Sequence, residues 1–290
     1  MTDTTTYGTI ASSAVLVETS ISTWTAHKLD KKVTDEVNNT KKASRKASRT
    51  NKNLLPEVKE LADVIAYAAK IRNWVQANTL PWSDYGPRLL PVAQLFDFKT
   101  EMDQHVRAFN DLVESFVAIY PTLISAQAFK LGEMFDRDEY PSPDTVRSKF
   151  RIRVTYMPIA QSDDFRVCVT EDAIDDLRQD YEREYAERVD DMMADIRKRL
   201  KDALSHLADR FEDSDTGKHK RFHGTILDAF AERLATIRQF NITKDQWVET
   251  MASQAEAAIS GIDVADLRKD EHLRADVREK VNNILDKFAI

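Results

Sequence analysis

The sequence predicts a mainly α-helical (α+β) protein, with long antiparallel helices and a small antiparallel sheet built from an N-terminal strand and a β-hairpin. The 290 residues include only six Gly, and 31% are charged. This composition is typical of long solvent-exposed helices rather than Gly-rich β folds. Apolar residues recur at three- and four-residue steps over several long stretches, whereas strict alternation is confined to residues 14–24 and 149–170.

The first 53 residues are expected to form one strand followed by a basic segment. Residues 14–24 are rich in β-branched side chains, and Val15, Val17 and Ile21 share one alternating face. Residues 28–38 resemble a short charged helix. Residues 39–53 contain almost no large apolar side chain before Leu54, so burial there cannot offset the entropy of ordering the chain.

Residues 54–212 are expected to form the helical core. Pro56 opens a first helix, and a second helix begins near Phe98 with apolar positions about 3.6 residues apart. Pro121 is expected to begin a kink or a new helix that runs to about Phe135. The alternation at 149–170 predicts a β-hairpin whose outer face carries arginines.

The longest predicted helix covers residues 172–212, and shorter helices follow in a C-terminal region at 218–290. A helix of about 40 residues is about 60 Å long, which exceeds the diameter of a compact domain of this size. We therefore expect it to project and to favour self-association or a helical protein partner.

The sequence lacks the motifs of several functional classes. Neither Gly-x-x-x-x-Gly-Lys-Ser/Thr nor Gly-x-Gly-x-x-Gly occurs. His219 and His223 are four residues apart but lack a His-Glu-x-x-His arrangement, so no metal site is predicted. No enzyme activity and no cofactor are expected.

The composition also predicts a cytoplasmic location. The single Cys168 excludes an intramolecular disulfide and fits a reducing compartment. The N-terminus does not resemble a signal peptide. No stretch approaches the roughly 20 apolar residues that span a bilayer, so no membrane association is expected.

The most unusual feature is a cluster of positive charge in an acidic chain. Residues 28–52 carry nine Lys/Arg and three Asp/Glu, whereas the whole chain has a formal charge of −7. Closely spaced cations suit phosphate contacts, because they release the counterions of a nucleic acid. Two alternatives are a solvated, partly disordered linker and a surface for an acidic protein. The candidate phosphate contacts are Lys28, Lys31, Lys32, Lys42, Arg45, Lys46 and Arg49.

Two further groups are candidates for nucleic-acid contacts. Arg151, Arg153 and Arg166 share a face of the predicted hairpin, and arginines beside aromatic rings form platforms for single strands. The alternative is a solvated sheet face that is salt-bridged to acidic helices. Trp82, Tyr85 and Arg88 lie in an irregular loop at 78–88, where they would supply stacking groups or, alternatively, plug the end of a helical core.

Four short segments resemble an uncharacterised group of tailed-bacteriophage proteins. The similarity covers roughly residues 20–210, and the segments are residues 25–33, 78–84, 131–135 with 140–142, and 163–167. The group has no established activity. The resemblance therefore implies a phage origin and an infected bacterial cytoplasm, and it implies no catalytic residue.

Together these features favour a non-catalytic single-stranded nucleic-acid-binding protein of phage replication or recombination, acting as an oligomer, with strand annealing as one form of that function. The alternative is a structural or adaptor protein that oligomerises or recruits a partner through its long helix. In that case the basic residues would form a flexible tether.

Overall fold

A computed structural model describes residues 10–160, 171–212 and 223–288. It is 68% helical with a small antiparallel sheet, which confirms the predicted fold class. The described strands are β1 (Ala14–Ser22), β2 (His27–Leu29), β3 (Asn51–Asn53), β4 (Arg88–Pro91) and β5 (Arg151–Met157). The described α-helices are α1 (Lys31–Thr40), α2 (Lys59–Ala77), α3 (Leu95–Leu131), α4 (Pro143–Ser148), α5 (Glu171–Arg210), α6 (Ile226–Phe240), α7 (Gln246–Ile259), α8 (Val264–Lys269) and α9 (Glu271–Leu285).

The chain divides into two compact units that interleave in sequence. The unit that we call the basic unit comprises residues 19–78 and 97–155, and the acidic unit comprises all the others. In sequence the basic unit has 20 Lys/Arg and 16 Asp/Glu, a formal charge of +4, and the acidic unit has 22 and 33, a formal charge of −11. The regions predicted from sequence, 1–53, 54–212 and 218–290, do not coincide with these units.

The three-stranded sheet has the order β4-β1-β5. β1 pairs with β4 in antiparallel register, with Val15 opposite Leu90. β4 was not predicted, because its four residues follow an irregular loop and end at Pro91. β5 is the first strand of the predicted hairpin, whereas the second strand and Arg166 lie outside the described residues.

The core of the basic unit is formed largely by α2 and α3. The α3 helix continues through Pro121 to Leu131, so no new helix begins at Pro121. The rings of Trp74 and Phe98 stack at 4.7 Å, and His105 lies edge-on to Trp74 at 4.9 Å. The buried face of α3 includes Phe98, Met102, His105, Phe109, Val113, Phe116, Val117, Tyr120, Ile124 and Gln127.

The core of the acidic unit is built around α5, which packs on α6, α7 and α9. The predicted bounds of this helix, 172–212, agree closely with the observed Glu171–Arg210. Its residues from Tyr185 onward include a regular series of buried side chains. Tyr181, one turn before Tyr185, also packs against this core, and residues 175–180 and 182–184 are exposed. The projection expected from the length of the helix stays a prediction.

One described helix is long and apolar enough to cross a membrane by length and composition. It is α3 with its flanking turns, Val92–Met134, and 33% of its most apolar window is buried. The sequence-based expectation that no such segment exists was therefore too strong. The physical reason is the stretch between Glu114 and Lys130, which contains no charged side chain.

Candidate nucleic-acid interface

The basic segment, residues 28–52, is a folded part of the basic unit. β2 and β3 pair antiparallel, with Lys28 opposite Lys52, and α1 lies between them in sequence. Asp30 caps α1, because its Oδ1 accepts a hydrogen bond from the backbone N–H of Val33 at 3.0 Å. Asp30 N–H also donates to Thr50 O at 2.9 Å, so the two ends of the segment are joined.

Polar contacts order the loop that follows α1. Ser48 Oγ donates to Asn38 Oδ1 at 2.7 Å, and Asn38 Nδ2 donates to Arg45 O at 3.3 Å. Thr50 N–H donates to Thr34 Oγ1 at 3.0 Å. Asn38 is only 2% exposed. The alternative of a partly disordered linker was wrong, because partly buried hydrogen bonds fix this loop, which has no large apolar side chain.

Two of the nine cations are engaged by carboxylates. The Lys52 side chain is only 6% exposed, and its Nζ lies 2.5 Å from Glu139 Oε2 and 3.7 Å from Asp30 Oδ2. Lys52 Nζ also donates to Met134 O at 2.8 Å. Lys28 Nζ lies 3.7 Å from the other oxygen of Glu139. Lys52 therefore belongs to the fold, and Lys28 is partly neutralised.

The other seven cations face solvent. They have no ion-pair partner among the carboxylates in the described parts of the chain. The group contains six predicted contacts and adds Lys41, which the sequence-based selection left out. Its members are Lys31, Lys32, Lys41, Lys42, Arg45, Lys46 and Arg49.

Arg151 and Arg153 are exposed on β5 and alternate with the half-buried Ile152 and Val154. This is the side-chain alternation predicted for the first strand of the hairpin. Within the described ranges no carboxylate forms an ion pair with either arginine, so the salt-bridged alternative is not observed there. Both arginines belong to the basic unit.

Trp82 lies in the core of the acidic unit. It is 3% exposed, and its ring packs edge-on against Tyr185 at 5.2 Å. Arg188 lies over the Trp82 ring at 5.8 Å. The sequence-based role of Trp82 in base stacking therefore conflicts with this structure, because its ring has no free face. The loop plugs a core, as the alternative interpretation proposed.

Arg88 holds the same loop closed. Its Nε donates to Thr79 Oγ1 at 2.6 Å, and its Nη2 donates to Thr79 O at 3.2 Å. Burial and the nearby Arg199 lower the pKa of the Arg88 guanidinium, although Asp195 acts in the opposite direction. These contacts commit Arg88 to the loop rather than to a phosphate.

Trp82 and Arg88 also line a cleft with an excess of negative charge. The cleft has a volume of ≈ 490 Å³, and its other charged groups are Asp84, Glu184, Glu187, Asp191 and Arg188. Four carboxylates against two guanidinium groups disfavour a phosphate. Tyr85 is fully exposed near this cleft, so its ring is free to stack, but it belongs to the acidic unit.

Comparison with protein-family models, with curated proteins and with solved structures gives no match to this chain. Among the residues that the structure describes, no group of three or more His, Cys, Asp or Glu side chains is arranged to hold a metal ion. Function is therefore inferred from the geometry of the basic segment.

Proposed function

We propose that the protein binds nucleic acid without catalysis, through phosphate contacts made by the basic segment. The observation that supports this proposal is the group of seven exposed cations that lack a described carboxylate partner. They are presented by a segment whose ends and loop are fixed by hydrogen bonds. A preordered cationic surface loses little conformational entropy when it binds a polyanion.

The acidic charge of the whole chain is compatible with this proposal. At physiological salt the Debye length is about 8 Å, so exposed charges at greater distances are largely screened. The local field of the basic segment then governs the contact with a phosphate. The proposed setting is the cytoplasm, and single strands engaged by an oligomer during phage replication or recombination are the specific form that the sequence suggests.

The salt dependence of the binding constant measures the number of phosphate contacts. For single strands, the logarithm of the binding constant falls by about 0.7 per phosphate contact for each tenfold rise in salt. Seven contacts therefore give a slope of about −5 and a loss of about 10³ in affinity between about 50 and 200 mM salt. Fluorescence anisotropy with a labelled oligonucleotide measures this slope, and absence of binding at about 50 mM would overturn the proposal.

Two matched triple variants test whether binding depends on this surface or only on the net charge of the protein. The first variant replaces Arg45, Lys46 and Arg49 by Ala. The second replaces three cations that have carboxylate partners on α5 by Ala, namely Arg178, Arg183 and Lys198. We expect the first variant to lose at least about tenfold in affinity and about two units of salt slope, and the second to change little. Equal losses would show that net charge alone matters.

A further inference from the structure

The exposed charges of α1 and of the loop that follows it fall into three groups. Lys31 and Lys32 lie in the first turn of the helix, and Asp35 and Glu36 lie one turn further along. Residues four apart share a helix face, so the two carboxylates lie between the first two cations and the end of the helix. All four side chains are exposed. The third group begins at the end of the helix and consists of Lys41, Lys42, Arg45, Lys46 and Arg49.

The opposite face of α1 fixes this arrangement. Thr34 and Asn38 are only 8% and 2% exposed. Thr34 Oγ1 accepts a hydrogen bond from Thr50 N–H at 3.0 Å, and the Asn38 side chain is bonded to the loop. These contacts hold α1 with its charged face toward solvent. A helix rises about 1.5 Å per residue, so Lys31 and Lys41 lie about 15 Å apart along its axis.

The basic segment offers no aromatic ring to a base. Residues 28–52 contain no Phe, Tyr or Trp. Platforms for single strands combine cations with aromatic side chains on which the bases stack. Trp82 is buried, and Tyr85 belongs to the acidic unit. Contacts with phosphates therefore determine the affinity of this segment, and the spacing of those phosphates determines which nucleic acid fits.

The charges of α1 disfavour a single strand that runs along the helix. Such a strand carries a phosphate at every nucleotide, so its path between the two groups of cations would place phosphates beside Asp35 and Glu36. Like charges at close range repel one another. A single strand that avoids these carboxylates contacts only the five cations of the loop.

The same charges suit the two strands of a DNA duplex. The major groove of B-form DNA is about 12 Å wide and admits an α-helix, and the phosphates lie along its two edges. Two groups of cations about 15 Å apart can therefore contact one strand each. The middle of α1 then faces the groove, where Asp35 and Glu36 do not meet a phosphate. In this arrangement all seven exposed cations contribute.

We propose that the basic segment binds double-stranded DNA with α1 across the major groove, and that Asp35 and Glu36 select against single strands. This inference rests on the proposed function and names its substrate class, which differs from the single strands that the sequence suggests. Selection by repulsion of the wrong ligand is a common source of specificity. Double-stranded RNA is also disfavoured, because its major groove is too narrow and deep for side chains to enter.

The test measures the binding of one labelled sequence as a single strand, as a DNA duplex and as an RNA duplex. Fluorescence anisotropy across a salt series gives the affinities and their salt slopes. Seven contacts with a duplex give a slope of about −6, whereas five contacts with a single strand give about −3.5. At about 100 mM salt we expect the DNA duplex to bind at least about tenfold more tightly than the other two.

Two matched double variants test the role of the carboxylates. Asp35→Asn with Glu36→Gln removes both charges and keeps the size of the side chains. We expect its affinity for the single strand to rise at least about fivefold more than its affinity for the DNA duplex, because a strand can then reach Lys31. The control is Glu182→Gln with Asp190→Asn, which neutralises two exposed carboxylates of the acidic unit. It has the same net charge and should keep the native ratio of the two affinities.

The outcomes distinguish this inference from the proposed function. Equal or tighter binding of the single strand by the native protein would overturn the inference and leave the function intact. An RNA duplex that binds as tightly as the DNA duplex would overturn the major-groove placement. If both double variants change the ratio of affinities equally, selection by Asp35 and Glu36 is overturned. Native protein that binds none of the three nucleic acids would overturn the function as well.

Discussion

The basic segment and α5 are both dense in charge, but they use their cations differently. On α5 five of the eight cations pair with carboxylates three or four residues away on the same helix. These pairs are Arg178–Asp175, Arg183–Asp180, Arg188–Glu184, Lys198–Asp202 and Arg199–Asp195. In the basic segment seven exposed cations have no described carboxylate partner. Both regions use Lys and Arg, but α5 contains 13 Asp/Glu, whereas the basic segment contains three.

Cations that pair within the protein contribute to its fold, whereas exposed cations without such a pair are available to a binding partner. A helix places residues three and four apart beside one another, so the charges of α5 are neutralised locally. Uncompensated cations repel one another and weaken the compact state. Lys31 and Lys32 have Asp35 and Glu36 four residues further along α1, so this cost falls mainly on the five cations of the loop that follows the helix. The proposed anionic partner would offset it.

The largest expected effect concerns Lys52, the buried cation of the basic segment. We expect Lys52→Met to lower the free energy of unfolding by about 3–5 kcal/mol, because it leaves the Asp30 carboxylate without its counterion and leaves Glu139 with only the more distant Lys28. Urea unfolding followed by the fluorescence of Trp24 and Trp74, which belong to the basic unit, measures this loss.

Lys31→Met is the matched control for that variant, since it removes an exposed cation of the same segment. Its unfolding midpoint should remain close to that of the native protein. Equal midpoints for both variants would show that the buried ion pairs do not order the segment.

A smaller effect is expected when carboxylates are introduced into the basic segment to pair with its cations, as carboxylates do on α5. Ala43 and Ala47 are exposed between the cations, so Ala43→Glu with Ala47→Glu adds two negative charges and removes no cation. We expect about tenfold weaker nucleic-acid binding and a salt slope reduced by about 1.4. The variant with Gln at both positions is the neutral control. Equal affinities of the Glu and Gln variants would show that the charge of the basic segment does not determine nucleic-acid binding.

The smallest expected effect lies on α5, where Arg197 pairs with Asp245 at 2.8 Å. Burial raises the pKa of Asp245, but the hydrogen bonds from Val248 N–H and Arg197 outweigh it and hold that pKa below its usual value. The stabilisation is therefore present above about pH 4 and is lost as the pH falls through the lowered pKa. We expect Arg197→Ala to lower the free energy of unfolding by at most about 1 kcal/mol at pH 7.

Urea unfolding at pH 7 and pH 3 measures that pH dependence. The difference between the native protein and Arg197→Ala should shrink at the lower pH, and nucleic-acid binding should be unchanged at pH 7. A loss of binding in Arg197→Ala would show that α5 also contributes cations to the interface.

Features that depend on local periodicity could be predicted from the sequence. The bounds of α5 follow from its regular apolar positions, and the exposure of Arg151 and Arg153 follows from alternation along β5. Pro121 was expected to begin a kink or a new helix, and no new helix begins there, because a packed helix can retain a proline despite its missing N–H.

Features that depend on distant partners could not be predicted in this way. Nothing in the pattern around Trp82 identifies Tyr185 as its neighbour, because the two residues lie far apart in the chain. The order of the basic segment depends on hydrogen bonds of Asn38, a polar residue that gives no apolar signal. The long uncharged stretch before Lys130 was visible in the sequence, but its significance for the membrane-span test was missed.

The interleaving of the two units determines how the protein can be dissected. A fragment that covers the basic unit, residues 19–155, necessarily includes residues 79–96 of the acidic unit. Leu80, Trp82 and Leu89 would then lose the side chains of α5 and its neighbours that cover them in the full chain. Truncated fragments would be prone to aggregate through this apolar segment, so point substitutions in the intact polypeptide are the appropriate way to assign function to either unit.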